Sequence, residues 1–473
     1  MVTSRMSAFM FTTEQMEIIK ISKQMCCNEI LKINAFAGTG KTSTLIAIAK
    51  ENPTKRFLYL AFNSAIVEES RKKFPSNVII LTTHSLAYRR IAIPYIERGF
   101  ALHDGNYMPI EIADRYKVDN LAAYEALCLF EEFLTSDKRS INTKASPAHE
   151  LAKRIYMDMV EYRLLITHSF YLKQFQLLED KELSLYDYVM LDEGQDTNDV
   201  TLDIFMSIDA AKIIVGDTHQ AIYAWRGAEN AMNKIEADYN CYLTTTFRCK
   251  PHIVERANFI LKNFKGEKVS IQSGCTTEPC DDSFAVITRT NAKIIENIAD
   301  YDDDYRLIKK PQSIFETAIS LYFWSIGDFD RLINTSFEYL TKFKSKGALN
   351  QYIADTNSLE LKSSLGIAQR YKKGLFYILK KAKVAYAKQY DESGKIIKED
   401  NRIILLSGHT SKGLEFDRVE LESDFPSLQE LYLKHDKKNL NAKQVNEETN
   451  LYYVAVTRAK YHLDDSSKND ELF

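Results

Sequence analysis

The chain has 473 residues, enough for roughly two to four domains with separate cores. Its 45% apolar and 27% charged residues are ordinary for a soluble globular protein. A formal net charge of −3 excludes bulk attraction to nucleic acid, so any such surface must be local, and no apolar run approaches the length of a membrane span.

In chain order, "FTTEQMEIIKISKQM" opens with Thr12 and Gln15 in capping-box spacing, so a helix starts there. An apolar strand, a glycine turn and a helix follow in "INAFAGTGKTSTLIA" (Ile33 to Ala47). "RFLYLAFN", a charged helix to Lys73 and "NVIILTTHS" continue the alternation that argues for a parallel sheet covered on both faces. From about Tyr88 to Leu172 the pattern turns helical. Ala123, Leu127, Phe130 and Leu134 form one stripe, and Leu151, Ile155, Met159, Tyr162 and Ile166 form another. The α/β rhythm resumes at "YDYVMLDEGQD", "AKIIVGD" and "YLTTTFR". A second unit opens near "SFAVITRTN" and breaks off after Asp302, Asp303 and Asp304. A helical stretch covers about Pro311 to Asp400, and "NRIILLSGHTSKGLEFDRVELES" and "ETNLYYVAVTRAKYHLD" complete the unit. The plan is two tandem α/β units, each interrupted by a mainly helical insertion.

The seven cysteines (Cys26, Cys27, Cys128, Cys241, Cys249, Cys275, Cys280) are odd in number and show no CxxC spacing, which argues against a disulfide framework or a zinc ribbon. Cys275 and Cys280 are read as incidental, with metal binding the weaker alternative. The N-terminus lacks a signal-peptide pattern. The expectation is an intracellular protein, cytoplasmic, or nuclear in a eukaryote, with no membrane partner.

The glycine turn is a phosphate-binding loop. Gly38 and Gly40 let successive N–H groups face an anion, Lys41 can reach the β- and γ-phosphates, Thr42 offers a hydroxyl to Mg²⁺, and the helix N-terminus favours negative charge. Ala35 stands where the first glycine of the usual pattern would be. Asp192 and Glu193 end an apolar strand, at the sheet edge where open α/β folds bind ligands. Asp192 can hold Mg²⁺ through water, and Glu193 can orient and deprotonate an attacking water; capping of the next helix is the alternative. After Asp217, Gln220 could touch a γ-phosphate. Tyr223, Trp225 and Arg226 suit base stacking and phosphate pairing, or a place in the core. Arg248 and Arg458 end the stretches "LTTTFR" and "YVAVTRA", where guanidinium groups could stabilise charge on a transferred phosphoryl group.

Ten segments stand in family order: "FTTEQ", "AFAGTGKT", "YLAFN", "LTTHS", "VMLDEGQD", "VGDTHQAIYAWRGA", "LTTTFR", "VITRTN", "SGHTSKGLEFDRV" and "NEETNLYYVAVTRAK". Through them the whole chain resembles superfamily 1 DNA helicases of the UvrD/Rep/PcrA type, and among these the F-box DNA helicase group and its bacterial relatives. The resemblance implies two RecA-like P-loop domains. Domain 1A would cover 1–86 and 173–257 with insertion 1B at 87–172. Domain 2A would cover 258–310 and 400–473 with a reduced insertion 2B at 311–399.

It also implies roles. ATP and Mg²⁺ would be held by Ala37, Gly38, Thr39, Gly40, Lys41, Thr42 and Ser43, with Thr42 and Asp192 on the metal. Gln15 would read the adenine edge, Phe247 would stack on the ring, and Glu415 would contact the ribose. Gln220, Arg248 and Arg458 would grip the γ-phosphate from both sides of an interdomain cleft. Phe62, Asn63, His84, Tyr223, Trp225, Arg226, Asn291 and His409 would line a single-stranded DNA track. A structural place for His84 and His409 is the alternative. The implied activity is an ATP-dependent 3′–5′ DNA helicase or translocase in repair or recombination, acting on single strands and duplex junctions.

Three departures shape that expectation. Ser407 replaces the usual threonine and keeps the hydroxyl. The second insertion is short. The chain ends soon after Arg458, where relatives often continue into a strand-separating hairpin. An accessory motor is therefore the alternative: a protein-stripping translocase, or a helicase-like subunit working with a repair factor, recombinase, nuclease or defence partner. Between Glu360 and Lys398, Leu365, Ala368, Tyr371, Leu375, Leu379, Ala382 and Tyr386 read as one helical stripe, with Lys372, Lys373, Lys380, Lys381 and Lys383 off it. That face is either solvated or a duplex-phosphate contact.

Overall fold

The computed structural model describes residues 11–473 apart from 142–145, 224–229, 280–282, 302–303, 334, 357, 391–395, 398–401 and 437–440. Asp302, Asp303 and Cys280 therefore lie outside the described residues. The chain divides into two units, Met1–Thr246 and Phe247–Phe473.

In the first unit six strands form one sheet: β1 (Ile30–Ala35), β2 (Phe57–Ala61), β3 (Val78–Thr82), β4 (Tyr188–Leu191), β5 (Ala211–Gly216) and β6 (Tyr239–Leu243). Their order is β3-β2-β4-β5-β1-β6, and every pairing is parallel. Parallel pairing demands crossovers that cover both faces, so the strands read as unbroken apolar runs. Alternation still decides direction. On β2, Leu58 and Leu60 enter one core, while Phe57, Tyr59 and Ala61 enter the core on the opposite face. Parallel strands also end together, so the segments after β1, β2, β3, β4 and β5 gather at one rim.

The capping box forms as read. The Thr12 hydroxyl accepts from Gln15 N at 3.1 Å, and Gln15 Oε1 accepts from Thr12 N at 3.0 Å, opening the helix Thr13–Ser22. No strand occurs among the described residues between β3 and β4; helices fill that stretch, including Asn120–Thr135, Pro147–Val160 and His168–Leu177. Ala123, Leu127, Phe130, Leu134, Leu151, Ile155 and Met159 are buried in a core continuous with the sheet's. The second stripe is shorter than expected. Its helix stops at Val160, Tyr162 turns with φ 61°, and Ile166 reaches the core from the segment beyond.

The second unit has five parallel strands: β7 (Phe284–Thr288), β8 (Tyr305–Leu307), β9 (Ile403–Ser407), β10 (Phe416–Leu421) and β11 (Ala459–Asp465), in the order β8-β9-β7-β10-β11. Only three residues long, β8 was not anticipated. The helix Pro251–Lys265, read from sequence as partly first-domain, packs on the helix Ala442–Val456 and on β11 through Ile253, Val254, Ala257, Ile260 and Leu261. Arg289, at the end of β7, donates to Glu448 at 2.5 and 2.7 Å, and both side chains are largely buried.

Between β8 and β9 the insertion contributes the helices Pro311–Ser325, Lys346–Thr356, Leu359–Tyr371 and Gly374–Ala387. The single stripe expected from Leu365 to Tyr386 is instead two helices. Lys372 takes a positive φ of 49° and breaks the run. Leu365, Ala368, Leu375 and Ala382 are still buried, and Lys372, Lys373, Lys380 and Lys383 are exposed; Lys381 donates to Tyr301 O. Mixed α/β units with parallel sheets, each carrying a helical insertion, match the expected class.

Candidate nucleotide site and adjoining strand track

The segment after β1 carries the phosphate-loop residues. Gly38 and Gly40 have φ of 72° and 81°, left-handed values that a Cβ would strain, and Gly40 is the N-cap of the helix Lys41–Glu51. The Thr39 hydroxyl donates to Phe36 O at 2.8 Å and closes the turn. Ala37 is buried, while Lys41, Thr42 and Ser43 are half-buried on the first helical turn. Gln15 lies against this helix with its side chain buried, and its Nε2 donates to the Thr44 hydroxyl at 3.0 Å. To read an adenine edge, that amide must exchange partners.

At the end of β4, Asp192 is 6% exposed. Its Oδ2 accepts from the Tyr59 hydroxyl at 2.5 Å, and its Oδ1 accepts from Glu193 N at 2.8 Å. Burial first, and then the neighbouring Glu193 charge, push the Asp192 carboxyl above its ordinary range; Lys41 partly opposes them. Glu193 has φ 53° and ψ 46°, an uncommon place for a residue with a Cβ and a local strain of about 1–3 kcal/mol. That turn brings its carboxylate to 3.7 Å from Lys41 Nζ. Two carboxylate oxygens with two donors leave further lone pairs on Asp192, and these, like the Thr42 hydroxyl on the first turn of the helix Lys41–Glu51, are oxygens of the kind Mg²⁺ takes.

A chain of polar contacts ties this carboxylate to the segment after β5. Gln195, 1% exposed, donates through Nε2 to Glu193 Oε2 at 2.5 Å and accepts at Oε1 from Asp217 N at 3.0 Å. Asp217 accepts from His219 N at 3.0 Å and from Gln220 Nε2 at 2.7 Å. The His219 ring stacks on Phe36 of the phosphate loop, with centroids 6.1 Å apart and planes 5° from parallel. Sequence reading missed Tyr59, Gln195, Asp217 and His219 as members of this network. All four lie inside segments already singled out, Tyr59 in "YLAFN", and only their polarity within an apolar frame marked them.

The candidate strand residues of this unit stand on the same rim. Phe62, 39% exposed, stacks on Tyr223 at 5.9 Å and 11°. Both line a cavity of about 250 Å³ whose wall includes His84 and Asp192. His84 is exposed, and partial desolvation, with His168 beside it, holds the imidazole below its ordinary range. Asn63 plays a structural part, because its side chain caps the helix Ser64–Arg71 by accepting from Ile66 N at 3.0 Å. Trp225 and Arg226 lie outside the described residues.

In the second unit, Arg248 and Glu415 meet directly, and Arg248 and Arg458 both bond to Thr457. Arg248 Nε lies 2.8 Å from Glu415 Oε2, and its Nη1 donates to Thr457 O at 3.3 Å. Arg458 is buried, donating to Val454 O at 2.9 Å, Leu414 O at 3.2 Å and the Thr457 hydroxyl at 3.1 Å. Phe247 is 38% exposed. The Ser407 hydroxyl pairs with the Thr410 hydroxyl at 2.9 Å, and the two flank His409, which lies in the short helix Gly408–Ser411. Asn291 opens the helix Asn291–Asp300, and its N donates to Glu360 Oε2 at 3.1 Å.

Two family models match the chain. Residues 116–240 match the UvrD/REP helicase N-terminal domain, and residues 326–466 match the UvrD-like helicase C-terminal domain. The chain is 29% identical to F-box DNA helicase 1 of Gallus gallus, covering 97% of this chain and 49% of that protein. It is also 29% identical to F-box DNA helicase protein 1 of Schizosaccharomyces pombe, covering 96% and 57% respectively. The Gabija protein GajB of Bacillus cereus is 28% identical over 48% of this chain and 45% of its own length. The chain thus spans about half the length of the F-box relatives it matches. With its two parallel-sheet units and a phosphate loop at the rim of the first, the chain belongs to the UvrD-like helicase family, whose architecture is a tandem of RecA-like P-loop domains.

Proposed function

We propose that the protein is an ATP-dependent motor that moves 3′ to 5′ along single-stranded DNA and acts as a helicase in repair or recombination. One observation carries this reading. Asp192 of the nucleotide site and the Phe62–Tyr223 pair of the strand track line the same cavity, which is the arrangement a DNA-stimulated ATPase needs. Gln195 and Asp217 extend the link, joining Glu193 to Gln220 through buried hydrogen bonds.

In this reading Gly38, Gly40 and the helix N-terminus receive the phosphates, and Lys41 exchanges Glu193 for them. Mg²⁺, held by Thr42 and Asp192, supplies charge neutralisation at the phosphates. Glu193 then orients and deprotonates the attacking water, held in place by Gln195. Arg248 and Arg458 supply positive charge to the γ-phosphate, Phe247 and Gln15 hold the base, and Glu415 the ribose; these assignments rest on the motif resemblance. Phe62, His84, Tyr223, Trp225, Arg226, Asn291 and His409 take the strand, where stacking is worth about 1–3 kcal/mol per base. Residues 87–172 and 311–399 are the insertions 1B and 2B of the two domains. A DNA substrate implies an intracellular location.

A second reading, a translocase that works with a partner protein and separates strands poorly alone, draws on the likeness to the Gabija protein and on the reduced second insertion. Tailed duplexes of both polarities test the two. Unwinding from 3′ tails supports the first. DNA-stimulated hydrolysis without strand separation supports the second.

A further inference from the structure

Along the β3 side of the first unit, three cavities adjoin. The first is the cavity holding Phe62 and Tyr223, and His84 forms part of its wall. The second, about 290 Å³, shares His84 and continues over Tyr88 and Tyr171 to Arg71 and Arg89. The third, about 360 Å³, shares Arg71, Leu81 and Arg89 with the second and follows β3, the edge strand of its sheet.

The walls of the middle cavity are aromatic and cationic. The Tyr171 ring meets His84 edge-on at 6.1 Å and Tyr88 edge-on at 5.9 Å, and its hydroxyl lies 2.9 Å from His168 Nδ1. Tyr171 is therefore fixed, while Tyr88 is 36% exposed. Arg71 and Arg89 are both exposed, and neither is in an ion pair with a described residue. Their sequence neighbours behave differently: Lys73 pairs with Glu69 and Arg90 pairs with Glu182. Two arginines with no carboxylate partner among the described residues, at the junction of two cavities and beside an exposed tyrosine, match a phosphate-and-base ligand.

We infer that this groove is a second segment of the nucleic-acid track, in which Arg71 and Arg89 each hold a backbone phosphate of the strand beyond the Phe62–Tyr223 position and Tyr88 offers a stacking face. The inference rests on the proposed DNA function and extends it to residues outside the ten motif segments or, for Arg89, beyond the end of "LTTHS". An acidic extended peptide along β3 is the competing occupant. It would use the arginines but would have no need of continuity with the base cavity.

The test is single-strand binding by fluorescence anisotropy, with oligonucleotides of increasing length over a series of salt concentrations. The proteins are the full chain, the double variant Arg71→Gln/Arg89→Gln, and Tyr88→Leu. Each phosphate contact to a single strand contributes about −0.7 to the slope of log K against log salt. On long oligonucleotides the double variant is expected to lose about 1.4 of that slope, while short oligonucleotides give equal slopes. Tyr88→Leu is expected to weaken long-strand binding by about 5-fold or more with little change in slope. Equal slopes and affinities at every length, from a wild type whose ATPase is stimulated by DNA, overturn the inference alone and leave the groove to a peptide. A wild type that binds no single strand overturns the proposed function, and the inference with it.

Discussion

Gly216→Ala isolates the link between Glu193 and the segment after β5. A Cβ built on Gly216 would stand 2.4 Å from Gln195 Oε1 and 3.1 Å from both Gly194 N and Met232 Cγ. The first separation is below any tolerable contact, so the Gln195 side chain must move. Moving it breaks the bond that Gln195 accepts from the buried Asp217 N–H and the bond that it donates to Glu193 Oε2. Overpacking costs about 1–3 kcal/mol, and breaking the bond of a buried N–H costs about 1–3 kcal/mol. Relieving one incurs the other, so the net loss is about 1–3 kcal/mol rather than their sum. For a unit of this size that lowers Tm by roughly 2–4 °C per kcal/mol. A catalytic group displaced by about 1 Å loses on the order of 100-fold in rate. ATPase kcat is therefore expected to fall about 10–100-fold, while the Kd of a fluorescent ATP analogue changes little, because the phosphate loop is untouched. Steady-state ATPase, nucleotide titration and thermal melting on one preparation check this. A lower Tm with unchanged kcat would show that Gln195 only fills space. Parallel losses in kcat and nucleotide affinity would refute the assignment of Gln195 to Glu193.

The remaining predictions are simpler. Glu193→Gln is expected to bind nucleotide with near-normal affinity and to abolish turnover, read by nucleotide titration beside ATPase. The raised Asp192 pKa means that the folded state binds this proton more readily than the unfolded chain. The nucleotide-free fold therefore loses stability as the pH rises from the ordinary aspartate value of about 3.9 towards neutrality. Mg²⁺ needs that carboxylate ionised, so the Tm gain from Mg²⁺ with a non-hydrolysable ATP analogue is expected to shrink as pH is lowered from about 7.5 to about 5.5; a constant gain contradicts it. In the second unit, Arg289→Ala leaves Glu448 as an uncompensated, largely buried charge, and is expected to cost about 3–5 kcal/mol in chemical denaturation. Adding Glu448→Ala should recover part of that loss.

What could be read without coordinates followed the constraints on each residue. The turn at Gly38 and Gly40 was legible because glycine takes a positive φ at little cost, and Asp192 and Glu193 were legible as the polar end of an apolar strand. The parallel sheets were legible because a strand buried on both faces must be apolar throughout, as "FLYLA" in β2 is. Tyr59 was not, since its hydroxyl finds Asp192 across 133 positions of sequence, and a tyrosine in a strand reads equally well as core. Gln195 stood within "VMLDEGQD" without a role of its own, because its partner Asp217 N belongs to another strand end. The break at Lys372 was hidden because the apolar spacing on either side remains in phase, and only the backbone reveals the positive φ. Asn63 and Glu415 were given ligand roles by resemblance, and the structure adds local partners: a helix cap for one and Arg248 for the other.

The most direct test of the account is the steady-state ATPase rate titrated with single-stranded DNA, wild type beside Glu193→Gln. A chain in which Asp192 and the Phe62–Tyr223 pair share one cavity wall should hydrolyse ATP slowly alone and much faster with the strand bound, and the variant should do neither. Equal wild-type rates with and without DNA would contradict it.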